Sequence, residues 1–250
     1  MIKIVGAVVL GVLSANVYGV ACETNPNKMG AHYMLEKKLH KQAGSEALTS
    51  TSRLALWRRG KEVAHELEDQ QVTEVWNLLP NGRVRPVRYF DEYRRGIEYQ
   101  PNEVEGSTDE KIWAKKTRLI TKISKNTMKL LRSQGDGCDK LDYYSAQRKG
   151  VHYLLTWSPS KELPVRYKEV TQHYSFTATL TLYEPDESKV DSFFTDRDSY
   201  QTTDYADIGD NESDPFLLKM INLGFVSHGA SGFYNANGDA LESASPHHRH

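Results

Sequence analysis

The chain has 250 residues, of which 38% are hydrophobic and 10% aromatic, a composition typical of one globular domain with a buried core. Its 32 basic and 33 acidic side chains leave a formal net charge of -1, so the basic character typical of nucleic-acid-binding proteins is excluded. Fourteen tyrosines favour β structure, because tyrosine suits half-buried sheet surfaces.

The amino terminus has the layout of a secretory signal peptide. Lys3 supplies a positive charge, Ile4–Leu13 is an uncharged apolar run, and small residues follow as far as Ala21. The run is shorter than a membrane-spanning helix requires. We therefore predict a periplasmic protein whose residues 1–21 form the signal peptide, with cleavage after Gly19 or Ala21. An uncleaved anchor is the alternative, and the mature chain is expected to contain no transmembrane segment.

The two cysteines of the chain, Cys22 and Cys138, allow two interpretations. Cys22 directly follows the small residues of the signal peptide, so it could be the acylated first residue of a lipoprotein. Gly19, however, stands at the -3 position, where a lipoprotein signal usually has leucine. A Cys22–Cys138 disulfide suits an oxidising periplasm and is the interpretation that we favour.

The elements predicted after the signal peptide begin with a helix and continue as strands. Residues 31–42 are predicted to be helical, with Met34, Leu35 and Leu39 on one side, and residues 43–52 to be a linker. Short apolar runs separated by turn residues then indicate an antiparallel meander, in which Asn81-Gly82 marks a hairpin. The strands predicted in this meander are 54–57, 63–67, 72–79, 83–90 and 94–99.

A second helix is predicted from Asp109 to Arg132. Ser107-Thr108-Asp109-Glu110 resembles a capped helix start, and apolar residues such as Ile112, Ile120 and Ile123 recur at nearly helical spacing. We expect this apolar side to pack on the sheet and the lysines between its members to face solvent.

Strands resume in the second half, at residues 151–157, 162–167 and 174–182. In the last of these, apolar and hydroxyl side chains alternate, which predicts one buried and one polar face. The side chains predicted to share the buried face of this strand are Tyr174, Phe176, Ala178, Leu180 and Leu182.

Residues 186–214 form a polar, acidic segment, and the tail 238–250 is expected to be frayed. The carboxylates of this segment do not have the spacing of an EF-hand, so a calcium site remains an open alternative and no metal is predicted. Asp214-Pro215 predicts the start of a helix over 216–223. His228 lies near Ser231, but the glycines around them lack nucleophile-elbow spacing, so no catalytic residue or cofactor is predicted.

The signal peptide, the meander from Val72 to Tyr99 and the stretch from Trp157 to Leu163-Pro164-Val165-Arg166-Tyr167 together resemble the lipoprotein-carrier group of LolA, LolB and the lipid-binding half of RseB. That resemblance implies an antiparallel half-barrel closed by helices, with an apolar concave face that holds acyl chains. The acidic segment after Asp186 has no counterpart in the group. No ligand residue is carried over.

We therefore predict that residues 22–250 form a single α+β domain, with a curved antiparallel sheet, a half-barrel-like meander, covered by a few helices. The leading hypothesis is a non-enzymatic periplasmic binding or carrier protein for an apolar or lipidated ligand. The alternatives are a structural or regulatory envelope module that binds another protein, and a hydrolase that uses His228. The residues expected to line the ligand site are Tyr153, Leu155, Trp157, Phe176, Ala178 and Leu180.

Overall fold

The fold is one large sheet with helices on both of its faces. The computed structural model describes residues 22, 24–40, 48–101, 103, 110–119, 125–211 and 213–222. The strands are β1 (Lys28–Leu39), β2 (Thr49–Arg59), β3 (Glu62–Leu67), β4 (Val72–Leu78), β5 (Val84–Phe90), β6 (Arg95–Glu98), β7 (Lys129–Gln134), β8 (Leu141–Arg148), β9 (Val151–Ser158), β10 (Leu163–Val170), β11 (Tyr174–Glu184) and β12 (Gln201–Asp204). The α-helices are α1 (Glu110–Arg118), α2 (Glu187–Asp198) and α3 (Pro215–Asn222). No helix in the described part of the chain is long and apolar enough to cross a membrane.

The twelve strands lie in the order β12-β6-β5-β4-β3-β2-β1-β11-β10-β9-β8-β7. All neighbours are antiparallel except β12 and β6, which run parallel. The sheet is open, with β12 at one edge and β7 at the other, and β1 in its middle joins the two halves of the chain by pairing with β2 and β11. The predicted α+β class with a curved antiparallel sheet is confirmed.

The meander predicted between residues 54 and 99 is present as β2 to β6, and β2 begins at Thr49, inside the predicted linker. The turn between β4 and β5 spans Leu79 to Arg83, and of Asn81 and Gly82 only the glycine has a positive φ, of 78°. The Asn81 side chain accepts a hydrogen bond from the Arg83 amide at 3.0 Å instead. The hairpin was therefore correctly predicted, but its turn is longer than a two-residue loop.

The helix predicted over residues 31–42 is wrong, because residues 31–39 belong to the central strand β1. Met29, Ala31, Tyr33 and Leu35 are all buried, whereas the alternating His32 and Met34 are more exposed. Alternation with a period of two matches a strand that is paired on both sides. The helical spacing of Met34, Leu35 and Leu39, on which the prediction was based, was a weaker signal than this alternation.

The helix predicted from Asp109 to Arg132 is also wrong over its second half. α1 ends at Arg118, and Leu119 follows with a positive φ of 57°, a conformation that terminates helices. Lys129–Gln134 is the edge strand β7. Ile112 packs against the sheet as predicted, whereas Ile120 and Ile123 lie outside the described residues.

The two faces of the sheet carry different helices. We call the side that bears Tyr33, Leu56 and Trp76 the α1 face, because α1 packs on it through Ile112 and Trp113. At the β12 end of this face, α3 packs on a cluster of sheet residues. That cluster and its helix partners are Val72, Phe90 and Ile97 with Phe216, Leu217 and Met220.

The opposite side, which bears Ala55, Val75 and Val87, is the α2 face. It is covered by α2 through the buried Val190 and Phe194. On this face Phe193 stacks on Trp57, with ring centroids 4.4 Å apart. Arg197 of α2 is also buried, and its guanidinium contacts Glu66, Thr73 and Asp91 at 3.0 to 3.1 Å.

The acidic segment 186–214 is not a loop but contains α2 and β12. Asp186 caps α2 by accepting a hydrogen bond from the Ser188 amide at 2.9 Å. Asp214 caps α3 in the same way, accepting from the Phe216 amide at 2.8 Å, so the helix start predicted at Asp214-Pro215 is confirmed. The predicted tail 238–250 lies outside the described residues.

One side chain of β11 lies on the face opposite to the one predicted. β11 carries a bulge at Thr181, because His32 of β1 pairs with Leu182 whereas the next residue, Tyr33, pairs with Leu180. The extra residue reverses the alternation, so Leu180 packs on the α1 face and Leu182 points to the other side, where it is 54% exposed.

This bulge gives a prediction about stability with a built-in control. Leu180→Ala is expected to lower the free energy of unfolding by about 1–2 kcal/mol, because it removes apolar contacts from a half-buried site. Leu182→Ala should change it by less than about 0.5 kcal/mol. Denaturant unfolding of the two variants measures the difference, and equal losses would show that both leucines share the buried face.

Candidate functional site: the apolar face beneath α1

The six predicted ligand-site residues lie on one face of the sheet, the α1 face. In the cross-strand pairing, Leu155 of β9 lies opposite Tyr167, which in turn lies opposite Ala178. Residues at paired positions of antiparallel strands point to the same side. Tyr153 and Phe176 flank Glu169 in the next row, while Trp157 and Leu180 extend the face toward the other end of the strands.

The apolar side chains of this face form two clusters that share members. One cluster is centred on Tyr33, Leu56 and Trp76, and the other contains Tyr153, Leu155, Trp157, Tyr167 and Met128. Phe176 and Ala178 pack against both. The apolar surface is therefore continuous from β5 to β8, over nine adjacent strands.

α1 lies on this surface and is held by its carboxyl end. The helix has nine residues, too few to be stable alone in water. The buried imidazole of His65 donates through Nε2 to the Lys116 carbonyl at 2.8 Å, and the Lys116 ammonium lies 4.0 Å from the centre of the Trp76 ring. Cationic and donor groups at a helix carboxyl end satisfy its free carbonyls.

Arg58 of β2, whose side chain is only 2% exposed, anchors the end of α1 through hydrogen bonds. Its guanidinium donates to the Thr117 carbonyl at the end of the helix through both Nε and Nη2. It also donates to the carbonyls of Pro26, Lys161 and Glu162 at 2.8 to 3.3 Å. Burial lowers the pKa of Arg58 to about 10, so the group is still a cation at neutral pH.

The disulfide fixes one of the segments that Arg58 contacts, the amino-terminal segment with Pro26. Cys22 and Cys138 are bonded, as predicted, with their Cα atoms 5.3 Å apart. The bond joins the amino-terminal segment to the turn between β7 and β8. Ser160 then links this turn to the β9–β10 turn by donating to the Cys138 carbonyl at 2.8 Å, and Thr24 donates to the Ser160 carbonyl.

A row of buried polar side chains separates the surface under α1 from the surface under α3. His65, Glu74 and Arg88 lie side by side on β3, β4 and β5. The Arg88 guanidinium donates to Glu74 Oε1 from Nη2 at 2.6 Å and from Nε at 3.1 Å. A paired carboxylate and guanidinium of this kind are held in one geometry, because breaking the pair would leave a buried charge.

At its other end the α1 face carries the buried carboxylate of Glu169. The Tyr167 hydroxyl donates to Oε1 at 2.7 Å and the Tyr174 hydroxyl to Oε2 at 3.4 Å. Burial and the adjacent carboxylate raise the pKa of Tyr167 far above its ordinary value, so the phenol stays neutral. This group places hydrogen-bonding atoms at one end of an otherwise apolar surface.

Sequence reasoning missed these polar residues. Tyr167 and Glu169 alternate with exposed residues in β10 and could have been found by pairing that strand with β9. Arg58 and His65 gave no local signal, because each lies within a strand pattern whose other members are apolar and each acts on the remote α1. Their roles depend on tertiary contacts across 50 or more residues.

The remaining sequence hypotheses concern metals and catalysis. Within residues 22–222, as far as they are described, no group of three or more His, Cys, Asp or Glu could hold a metal ion. Asp214, one of the acidic residues considered for calcium, instead accepts from Arg95 at 2.8 Å. His228 and Ser231 lie outside the described residues.

No protein-family model and no curated protein matches the sequence. Among solved structures, an outer membrane lipoprotein-sorting protein domain from Vibrio parahaemolyticus is 8% identical and matches with a TM-score of 0.26, covering 67% of this chain and 91% of that domain. A LolA superfamily protein from Nitrosomonas europaea is 10% identical, with a TM-score of 0.22 and coverage of 65% and 88%.

The MucA/MucB complex of Pseudomonas aeruginosa matches with 12% identity and a TM-score of 0.29, covering 66% of this chain and 56% of the matched one. The chain thus spans about half the length of that relative. The resemblance to the lipoprotein-carrier group is found again among solved structures. At these TM-scores the likeness carries no argument about ligand or partner, so function has to be inferred from the residues of this chain.

The buried His65 predicts a specific loss of stability in acid. Burial, with a further contribution from the nearby cations Lys116 and Arg58, lowers its pKa to about 3 in the folded protein. In the unfolded chain the histidine has an ordinary pKa of about 6.5. Between pH 6.5 and pH 3 it is therefore protonated in the unfolded state and neutral in the folded state. The contribution of His65 to the free energy of unfolding is therefore fully present above pH 6.5. As the pH drops from 6.5 toward 3, this contribution is lost, and the unfolding equilibrium constant rises by about tenfold per pH unit.

His65→Gln keeps a donor for the Lys116 carbonyl but cannot be protonated. Denaturant unfolding measured at several pH values between 7 and 4 should therefore show a shallower pH dependence for the variant than for the wild-type protein. Identical slopes would mean that His65 is not kept neutral by burial.

Proposed function

We propose that this protein is a non-enzymatic periplasmic binding or carrier protein for an apolar or lipidated ligand, which it holds on the α1 face. The observation that carries the proposal is the continuity of the apolar surface: the clusters of Tyr33 and Leu155 are joined through Phe176 and Ala178 into one surface. Burial of a hydrocarbon chain on such a surface is favourable by about 0.8 kcal/mol per methylene.

The size of this surface also supports a ligand role. Nine strands at about 4.8 Å spacing extend over roughly 38 Å, whereas a nine-residue helix is about 14 Å long. α1 can therefore cover only part of the face. Beyond it, the described elements that pack on the face near Trp157 are the turn at Lys125 and the side chain of Met128.

The way α1 is attached suits a movable cover. Its apolar contacts come from Ile112, Trp113 and Leu119, and its hydrogen bonds to the sheet are concentrated at Lys116 and Thr117. An acyl chain can replace the contacts of these few side chains with contacts of the same kind. Displacing α1 about its carboxyl end would then expose apolar surface without breaking the sheet.

The two ends of the face suit an amphiphilic molecule. The aromatic and aliphatic side chains of β9 and β11 would contact the hydrocarbon part of the ligand. The hydroxyls of Tyr167 and Tyr174, which already donate to Glu169, are polar groups at one end of this part of the surface. Binding sites of this composition, mostly apolar with few polar groups, hold chain-like ligands in one orientation.

Export is the second part of the proposal. The signal-peptide layout of residues 1–21 and the Cys22–Cys138 disulfide both suit the oxidising periplasm. With Cys22 bonded to Cys138, its thiol is not free for a lipid anchor. The protein would then move in the aqueous periplasm, as a carrier between membranes requires.

Binding of cis-parinaric acid, a fatty acid whose fluorescence rises in apolar surroundings, tests the proposal. The wild-type protein should bind it saturably. Ala178→Trp should weaken binding by about tenfold or more, because the new indole fills the surface between Leu35 and Tyr167, the residues that pair with Ala178.

Thr179→Trp is the matched control, since it adds the same ring one residue further on, where β11 points to the opposite face. This variant should bind the fatty acid like the wild-type protein, and circular dichroism should show both variants folded. Absence of saturable uptake by the wild-type protein, or equal losses in the two variants, would contradict the carrier proposal.

A further inference from the structure

The α2 face has a second half that α2 does not cover. Helix α2 packs against β1 and β2 and the strands beyond them toward β12, whereas over β7 to β10 the same side of the sheet is exposed. Cross-strand pairing places Arg132, Tyr143, Thr156 and Arg166 in one row across these four strands. We call this region the open face.

A pocket of about 300 Å³ lies in the open face. Its lining combines apolar with cationic residues: Leu131, Tyr143, Leu154, Thr156, Arg166 and Lys168, together with Tyr144 and Leu155. Leu131 and Leu154 are 55% and 36% exposed, so two leucines meet solvent where a sheet face normally carries polar residues. An exposed apolar pocket rimmed by charge is typical of an interaction site.

The charges around this pocket have one sign. Arg166 and Lys168 line it, and the guanidinium of Arg132 lies 4.2 Å from the centre of the Tyr143 ring. Among the described residues, none of these three cations forms an ion pair, although ion pairs are numerous elsewhere on the protein. Three neighbouring cations without carboxylate partners favour an anionic ligand.

The open face ends at an exposed sheet edge. β7 is the last strand of the sheet, and the side chains of all its six residues are exposed. An edge strand presents backbone donors and acceptors that another extended chain can pair with. A lipid headgroup has no such backbone, so this edge distinguishes a peptide from a membrane surface as the occupant.

We propose that the open face docks an acidic, extended segment of a partner protein. An apolar side chain of that segment enters the pocket between Leu131, Tyr143 and Leu154, and neighbouring carboxylates pair with Arg132, Arg166 and Lys168. Tyrosine and arginine are the residues that most often dominate such contacts. The row of Arg132, Tyr143, Thr156 and Arg166 lies on the opposite side of the sheet from α1, and Leu155 belongs to the lining of both sites.

The test uses fluorescence anisotropy with a labelled peptide of alternating glutamate and leucine. The wild-type protein should bind it saturably, more weakly at high salt, and should not bind a peptide of alternating lysine and leucine. The double charge reversal R166E/K168E should weaken binding by about tenfold or more. Leu131→Asp should weaken it as well, because it places a carboxylate in the pocket.

K61E/R83E is the matched control, because it makes the same change of charge at two exposed turn residues in the other half of the sheet. Its affinity should stay within about twofold of the wild-type value. Thermal unfolding should show that all variants are folded. No saturable binding of the acidic peptide, or equal weakening by both double variants, would overturn the proposal.

Binding to lipid vesicles distinguishes a protein partner from a membrane surface as the occupant of the open face. Sedimentation with phosphatidylglycerol vesicles, and with phosphatidylcholine vesicles for comparison, should show no binding that depends on Arg166 and Lys168. Binding to the anionic vesicles that R166E/K168E abolishes, together with no binding of the acidic peptide, would assign the open face to a membrane surface and overturn the proposed protein partner.

Discussion

The guanidinium of Arg58 is the contact on which the arrangement around the proposed ligand surface depends. It is buried and charged, and the carbonyls it binds come from three different parts of the chain, at Pro26, Thr117 and the Lys161–Glu162 turn. A buried cation of this kind is tolerable only when its donors are satisfied, and here the oxygens are backbone atoms whose positions the fold must supply. The disulfide at Cys22 fixes one of these segments, so covalent and polar constraints meet at the same place.

The contrast between α1 and α2 links this contact to function. α2 is held along its length, by buried Val190 and Phe194 and by Arg197, which reaches the sheet with several hydrogen bonds. α1 is shorter, and its polar contacts with the sheet are concentrated at its last turn. Local stability differs between elements of one fold, and segments with few buried contacts open most readily. Of these two helices, α1 is thus the one better suited to move, whereas α2 is held by buried contacts on the opposite face.

Much of the sheet could be predicted from sequence, and the failures have identifiable physical causes. Strands with clear alternation, such as the one ending at Trp157, were found, and so was the face shared by Leu155 and Ala178. The central strand β1 was mistaken for a helix because the spacing of Met34, Leu35 and Leu39 was given more weight than the alternation of the buried Met29, Ala31, Tyr33 and Leu35. The bulge at Thr181 reversed the side of Leu182, since a single extra residue shifts the alternation of everything beyond it. Arg58 could not be recognised, because its partners are backbone carbonyls and any sequence supplies those.

Amide hydrogen exchange in an Arg58→Met variant tests the central claim most directly, since methionine keeps much of the length of the side chain but none of its donors. The loss of the guanidinium should sharply reduce the protection of the α1 amides, while those of α2, which makes no contact with Arg58 among the described residues, should remain protected. That result would show that one buried cation holds the cover on the apolar surface. Unchanged protection of α1 in a folded variant would contradict the account, because the helix would then be held by its apolar contacts and by Lys116 without Arg58.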